Sequence, residues 1–129
     1  MAHILLIDDD ARVRFTLETL LKRSGHTVTA RADGKEGIDT LKKESFDLII
    51  TDIIMPNMDG VEFLMQFRSA NKGDAPVIVI SGGGRLHSID YLSVAEDMGA
   101  AATLSKPFEN AQLLDLVESL IGSKGAAKS

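Results

Sequence analysis

Ile4-Leu5-Leu6-Ile7-Asp8-Asp9-Asp10 passes from four consecutive aliphatic residues straight into three acids. Four aliphatic residues in a row lack the alternation of a strand with one wet face, so they predict a strand covered on both sides. The same rhythm returns along the chain. Leu48 to Thr51 leads into Asp52, Val77 to Ile80 into Ser81, and the weaker Ala101 to Leu104 into Ser105 and Lys106, with a further burst at Thr27 to Ala30. Between these bursts apolar residues recur at helical spacing, as in Val13, Leu17, Leu20 and Leu21, or Leu113, Leu116, Val117 and Leu120. Ile38 with Leu41, and Val61 with Leu64 and Met65, mark two more helices, and the less regular stretch from Leu86 to Met98 a fifth. Five strands alternating with five helices predict an α/β fold, a doubly wound parallel sheet with right-handed crossovers. Gly25 marks the end of the first helix and Asp33, three residues before Glu36, the start of the second.

Composition narrows the function. At 129 residues the chain accommodates one ordinary domain. That domain is expected to span 1–122, with 123–129 as a flexible tail or the start of a linker, because Gly, Ala, Ser and Lys dominate the last residues. Fourteen Lys and Arg against nineteen Asp and Glu give a net charge of −5, which weighs against nucleic-acid or anionic-membrane binding. The absence of cysteine excludes disulfides, thiolate catalysis and Cys-ligated metals. No apolar run approaches the roughly 18 residues of a spanning helix, and the early acids interrupt any secretory signal, so a cytoplasmic location is expected. A Gly-rich phosphate loop is absent: Gly82, Gly83 and Gly84 lack the P-loop spacing and its terminal Lys.

In doubly wound sheets ligands bind beyond the carboxyl ends of the strands. Asp8, Asp9, Asp10, Asp52, Ser81, Ser105 and Lys106 all follow bursts and are expected at that one edge. The first and third strands are neighbours in such a topology, which crowds Asp9 and Asp52. Crowded carboxylates repel unless a cation offsets them, and Mg²⁺ suits a few carboxylates, a backbone carbonyl and retained waters. Lys106 adds a positive charge that is no metal ligand and suits the oxygens of a phosphoryl group in transfer, with the Ser81 hydroxyl as another donor. An Asp carboxylate remains as nucleophile. Plainer readings stand beside these: helix capping for the acids, for which one suffices, a turn for Ser81, a surface lysine before Pro107, a loop acid for Asp52, and solvated or locally bonded side chains for His3, His26 and His87.

Taken together, ILLIDDD at 4–10, LIITDIIMPNMDG at 48–60, VIVISG at 77–82 and LSKPF at 104–108 resemble the receiver domain of bacterial two-component response regulators over nearly the whole chain. The resemblance implies a five-stranded parallel sheet of flavodoxin-like order 2-1-3-4-5 with five helices. It implies Asp52 as phosphoacceptor, and Asp8, Asp9, Asp52 and the main-chain oxygen of Ile54 as the Mg²⁺ site, with Asp8 acting more through bound water. Ser81 and Lys106 resemble the residues that contact the phosphoryl group, and Pro107 the family's cis proline. The partners implied are a histidine kinase or histidine phosphotransfer protein, and downstream either a protein target or an effector domain. A phosphorylation-independent scaffold for protein binding is the alternative.

Two departures bear on switching. The family's usual aromatic three residues before the lysine is Thr103 here, too small to swing between inward and outward positions. Behind Ser81, Gly82, Gly83 and Gly84 make alternative backbones cheap, so rearrangement of this segment is the expected replacement for the missing ring. Amide exchange of residues 82–98 should therefore change when a phosphoryl mimic is added, and unchanged protection would refute this route.

Overall fold

In the computed structural model, which describes residues 2–52, 54–55, 58–59, 66, 69, 75–81, 101–105 and 108–128, the first aliphatic run forms β1 (His3–Ile7). It is followed by α1 (Ala11–Arg23), β2 (Thr27–Arg31), α2 (Gly34–Lys43) and β3 (Leu48–Asp52). A short antiparallel pair, β4 (Ile54–Met55) and β5 (Met58–Asp59), comes next, then β6 (Val77–Ser81), β7 (Ala102–Ser105) and α3 (Asn110–Lys128). The large sheet is parallel, in the order β2-β1-β3-β6-β7. With the short hairpin set aside, this is the order 2-1-3-4-5. The helices expected around 61–65 and 86–98 lie outside the described residues, apart from Gln66 and Ser69.

Burial explains why the strands lack alternation. Ile4, Leu5, Leu6 and Ile7 are all fully buried, as are Leu48, Ile49 and Ile50. Successive side chains point to opposite faces. The even-numbered row, Ile4, Leu6, Leu48, Ile50, Ile78 and Ile80, forms one core with Leu17 and Leu21 of α1 and Leu113 and Val117 of α3. The odd-numbered row points to the other face, and α2, whose Ile38 and Leu41 are buried, packs against β1 and β2.

Local chemistry sets the helix ends. Asp10 caps α1, its carboxylate accepting from the backbone N–H groups of Arg12 (2.9 Å) and Val13 (3.3 Å), and Asp33 caps α2 by accepting from Glu36 N–H at 2.8 Å. At the other end of α1, Gly25 N–H donates to the Lys22 carbonyl and His26 N–H to the Leu21 carbonyl, the paired bonds of a Schellman motif. Gly25 has φ +96°, in the left-handed region. His26 departs from the expectation of a solvated or locally bonded ring. It is buried, its Nδ1 accepts from Ala2 N–H at 3.2 Å, and its Nε2 lies 3.3 Å from Glu118 of α3. The ring thus ties the start of β1 to the last helix. Among the described residues no helix is long and apolar enough to cross a membrane.

A Cβ at position 25 would meet no atom within 4 Å, so the cost of Gly25→Ala is conformational rather than steric. We expect a destabilisation of about 1–2 kcal/mol, read as a lower urea midpoint with an unchanged m-value. A midpoint equal to that of the parent protein would show that the helix end relaxes out of the left-handed conformation at no cost.

Candidate functional site

The site follows from strand register. β1 pairs with β3 from Ile4 opposite Leu48 to Ile7 opposite Thr51. One further step in that register sets Asp8 level with Asp52, on strands about 4.8 Å apart. Asp8 is not a strand residue, but its N–H still donates to the Arg31 carbonyl of β2 at 3.2 Å, so the backbone keeps its course past Ile7. Both carboxylates are withdrawn from water, Asp8 at 1% exposure and Asp52 at 7%, whereas Asp9 is exposed. One carboxylate oxygen from each of Asp8, Asp9 and Asp52 lies within 4.8 Å of the others.

The three consecutive acids therefore do three different things. Asp10 is the helix cap. Asp8 turns inward, its Oδ1 accepting from Asp10 N–H at 2.9 Å, and Asp9 projects from the peptide between them. Capping accounts for one acid only, so the cluster of the other two with Asp52 needs another explanation. Neutral and cationic groups brace it. The buried Thr51 hydroxyl lies 3.0 Å from the Asp52 main-chain oxygen, to which it donates, and Arg14 Nη1 donates to the Asp8 main-chain oxygen at 2.6 Å. Arg14 was not among the residues that the sequence pattern singled out. Its only sequence signal is a basic residue at the fourth position of a helix, where the dipole disfavours positive charge.

Hard oxygen donors at this spacing fit a small divalent cation. Mg–O bonds of about 2.0–2.1 Å place two ligand oxygens roughly 3–4 Å apart. Ile54, expected to offer its main-chain oxygen, lies two residues beyond Asp52 in β4, opposite Asp59. The apolar bursts of the sequence mark no strand at this hairpin. Ser81 ends β6, opposite Ser105 of β7 and one register step past the Ile80 that pairs with Asp52, so its backbone is at the same edge. Lys106 and Pro107 lie outside the described residues, as do Gly82, Gly83 and Gly84. Thr103 is half-buried in β7, opposite Val79.

Comparison with known proteins agrees with this geometry. Residues 4–118 match the response regulator receiver domain family. The chain belongs to that family. The transcriptional regulatory protein FixJ of Bradyrhizobium diazoefficiens is 36% identical over 128 residues, 98% of this chain and 60% of FixJ. The cell cycle transcriptional regulator CtrA of Caulobacter vibrioides is 33% identical over 128 residues, 98% of this chain and 54% of CtrA. The chain thus spans little more than half the length of these relatives. Among solved structures, a response regulator receiver domain protein from Clostridium thermocellum superposes with a TM-score of 0.87 at 27% identity, covering 98% of this chain and 99% of that one.

Three carboxylates held this close repel one another when no cation is bound. Asp9→Asn removes one charge from the exposed member of the cluster without opening a cavity. In chelator at neutral pH it should raise the thermal midpoint by about 2–4 °C, and added Mg²⁺ should narrow the gap to the parent protein. A lowered midpoint in chelator would show that Asp9 stabilises the fold by some other contact.

Proposed function

We propose that this receiver accepts a phosphoryl group on Asp52 from a phosphohistidine, with Mg²⁺ as cofactor, and that the modification switches a protein-binding surface. The observation that carries the proposal is the placement of a buried Asp52 at a strand end, level with Asp8 and within 4.8 Å of two further carboxylates. The helix cap is Asp10, which is not one of the three, so capping does not account for the cluster of Asp8, Asp9 and Asp52.

The ion would be held by Asp8, Asp9, Asp52 and the main-chain oxygen of Ile54, and when bound it supplies positive charge against the carboxylates and the incoming phosphoryl oxygens. An Asp52 carboxylate oxygen attacks phosphorus in line. The P–N bond to the donor imidazole breaks as the P–O bond forms, and the imidazole leaves with its electron pair and takes up a proton. Lys106 offsets charge on the phosphoryl oxygens and the Ser81 hydroxyl donates to one of them. Withdrawal of Asp52 from bulk water strengthens these contacts. Hydrolysis of the acyl phosphate resets the switch. The residues that the family resemblance sets beside the bond, Ile54 and Gly83, bring no acid or amide to orient the attacking water, so resetting should be slow.

The donor in this proposal is a histidine kinase or a histidine phosphotransfer protein. The output is a downstream protein target or an effector domain, and the names of FixJ and CtrA favour a transcriptional one. Thr103 in place of the usual aromatic is the observation that favours the second reading, a scaffold that binds proteins without phosphorylation.

Incubation with Mg²⁺ and a small acyl phosphate separates the two. Intact mass should rise by about 80 Da, and the adduct should be absent with Asp52→Asn or with chelator. It should also persist after the donor is removed. Folded protein that gains no mass would count against the phosphoacceptor reading and promote the scaffold reading.

A further inference from the structure

Arg14 takes no part in the chemistry proposed above, yet its side chain reaches the site. Nη1 donates to the main-chain oxygen of Asp8 at 2.6 Å, while its own backbone N–H donates to the Asp10 carbonyl at 2.9 Å. Helical side chains lean toward the amino terminus, so a long one at the fourth position of α1 can fold back over the turn that precedes the helix. Helix electrostatics do not explain it. A cation there opposes the macrodipole, and the acids that can offset it, Asp8 to Asp10, precede the helix rather than lie in its first turn.

The bonds around Asp8 show what the contact does. The Asp8 carboxylate is fixed without Arg14, by burial and by Asp10 N–H, and the Asp8 N–H is fixed by β2. Neither of these bonds restrains rotation of the Asp8–Asp9 peptide plane. The Asp8 carbonyl lies in that plane, and the plane sets the direction in which the exposed Asp9 leaves the backbone. A guanidinium on the carbonyl stops the rotation.

We propose that Arg14 is a positioning residue for the cation site, clamping the Asp8–Asp9 peptide so that the Asp9 carboxylate stays directed at Asp8 and Asp52. The inference rests on the cation site proposed above. Its two physical effects have opposite signs. As a positive charge Arg14 weakens cation binding, and as a clamp it strengthens it by removing the cost of ordering Asp9. The clamp outweighs the charge, because the guanidinium is aimed at a neutral carbonyl and remains partly exposed to screening water.

The test is Mg²⁺ binding to the full chain by calorimetry, below the unfolding range of every variant, together with the amide resonance of Asp9 in chelator. Arg14→Met should weaken Mg²⁺ binding roughly tenfold, the scale seen when partners of metal ligands are removed, and should shift the Asp9 amide before any ion is added. Arg14→Lys keeps a charge and a donor that reaches the carbonyl, so it should recover part of both effects. With an acyl phosphate donor, the Met variant should need more Mg²⁺ for half-maximal phosphorylation while reaching the same maximal rate. Tighter Mg²⁺ binding by the Met variant would mean that Arg14 acts through charge alone and would overturn the clamp. Unchanged binding with lowered stability would reduce Arg14 to a structural contact. A parent protein that binds no Mg²⁺ would instead remove the cation site, and the inference with it.

Discussion

The alignment of β1 with β3 is the constraint on which the site depends. Asp8 and Asp52 meet because the two strands pair with Ile7 opposite Thr51. A slip by one residue would turn one carboxylate to the opposite face of the sheet from the other. Hydrophobic patterning cannot prevent that slip here, since Ile4 to Ile7 and Leu48 to Ile50 are buried on both faces and would be buried equally well in a shifted register. The specification comes from polar bonds at the opposite end of the strands. His3 N–H donates to Asp47 Oδ2 and Asp47 N–H donates to the His3 carbonyl, each at 2.8 Å. This reciprocal pair pins the amino ends together, and the parallel ladder carries the alignment to the carboxyl edge about 15 Å away.

The division between what the sequence discloses and what it conceals follows the same physics. Strand ends were legible because a doubly covered strand is a run of aliphatic residues that stops where water begins, and the polar residues after each run mark the stop. Caps were legible because they are local: Asp10, Asp33 and Gly25 act on residues within four positions of themselves. Asp47, His26 and Arg14 were not. Asp47 acts across 44 positions and His26 across 92 to Glu118, and neither distance leaves a periodic trace. Arg14 acts over six, but through a side chain that bends back against the helix direction, which spacing alone does not encode. The hairpin of β4 and β5 escaped for another reason. Two residues per strand are too few for any period, and Pro56 favours reading the segment as a loop.

Burial divides the labour among the acids. Asp8 and Asp52 sit in low-dielectric surroundings, where each is sensitive to any neighbouring charge, whereas Asp9 remains in contact with water. A site of three buried acids would bind a cation tightly but exchange it slowly and resist opening. On the proposed function, the exposed Asp9 leaves a side from which ion, water and phosphodonor can approach. The same exposure makes Asp9 the member whose geometry most needs support from the backbone, and the support available is the turn between β1 and α1.

Transmission from the site is constrained by rows across the sheet. Thr51 of β3 pairs with Val79 of β6, which pairs with Thr103 of β7, and in the next row Asp52, Ile80 and Leu104 are aligned in the same way. Within the sheet, a displacement that starts at Asp52 and ends at the β7 edge crosses β6. A large ring at 103 would convert such a displacement into a discrete choice between two packings, because a close-packed interior is bistable rather than continuously deformable. Threonine fills little volume and gains little from either position. On the proposed function the two-state element then has to be backbone rather than side chain, and the carboxyl end of β6, where Ser81 stands at the site edge, is where such an element can be driven by the phosphoryl group.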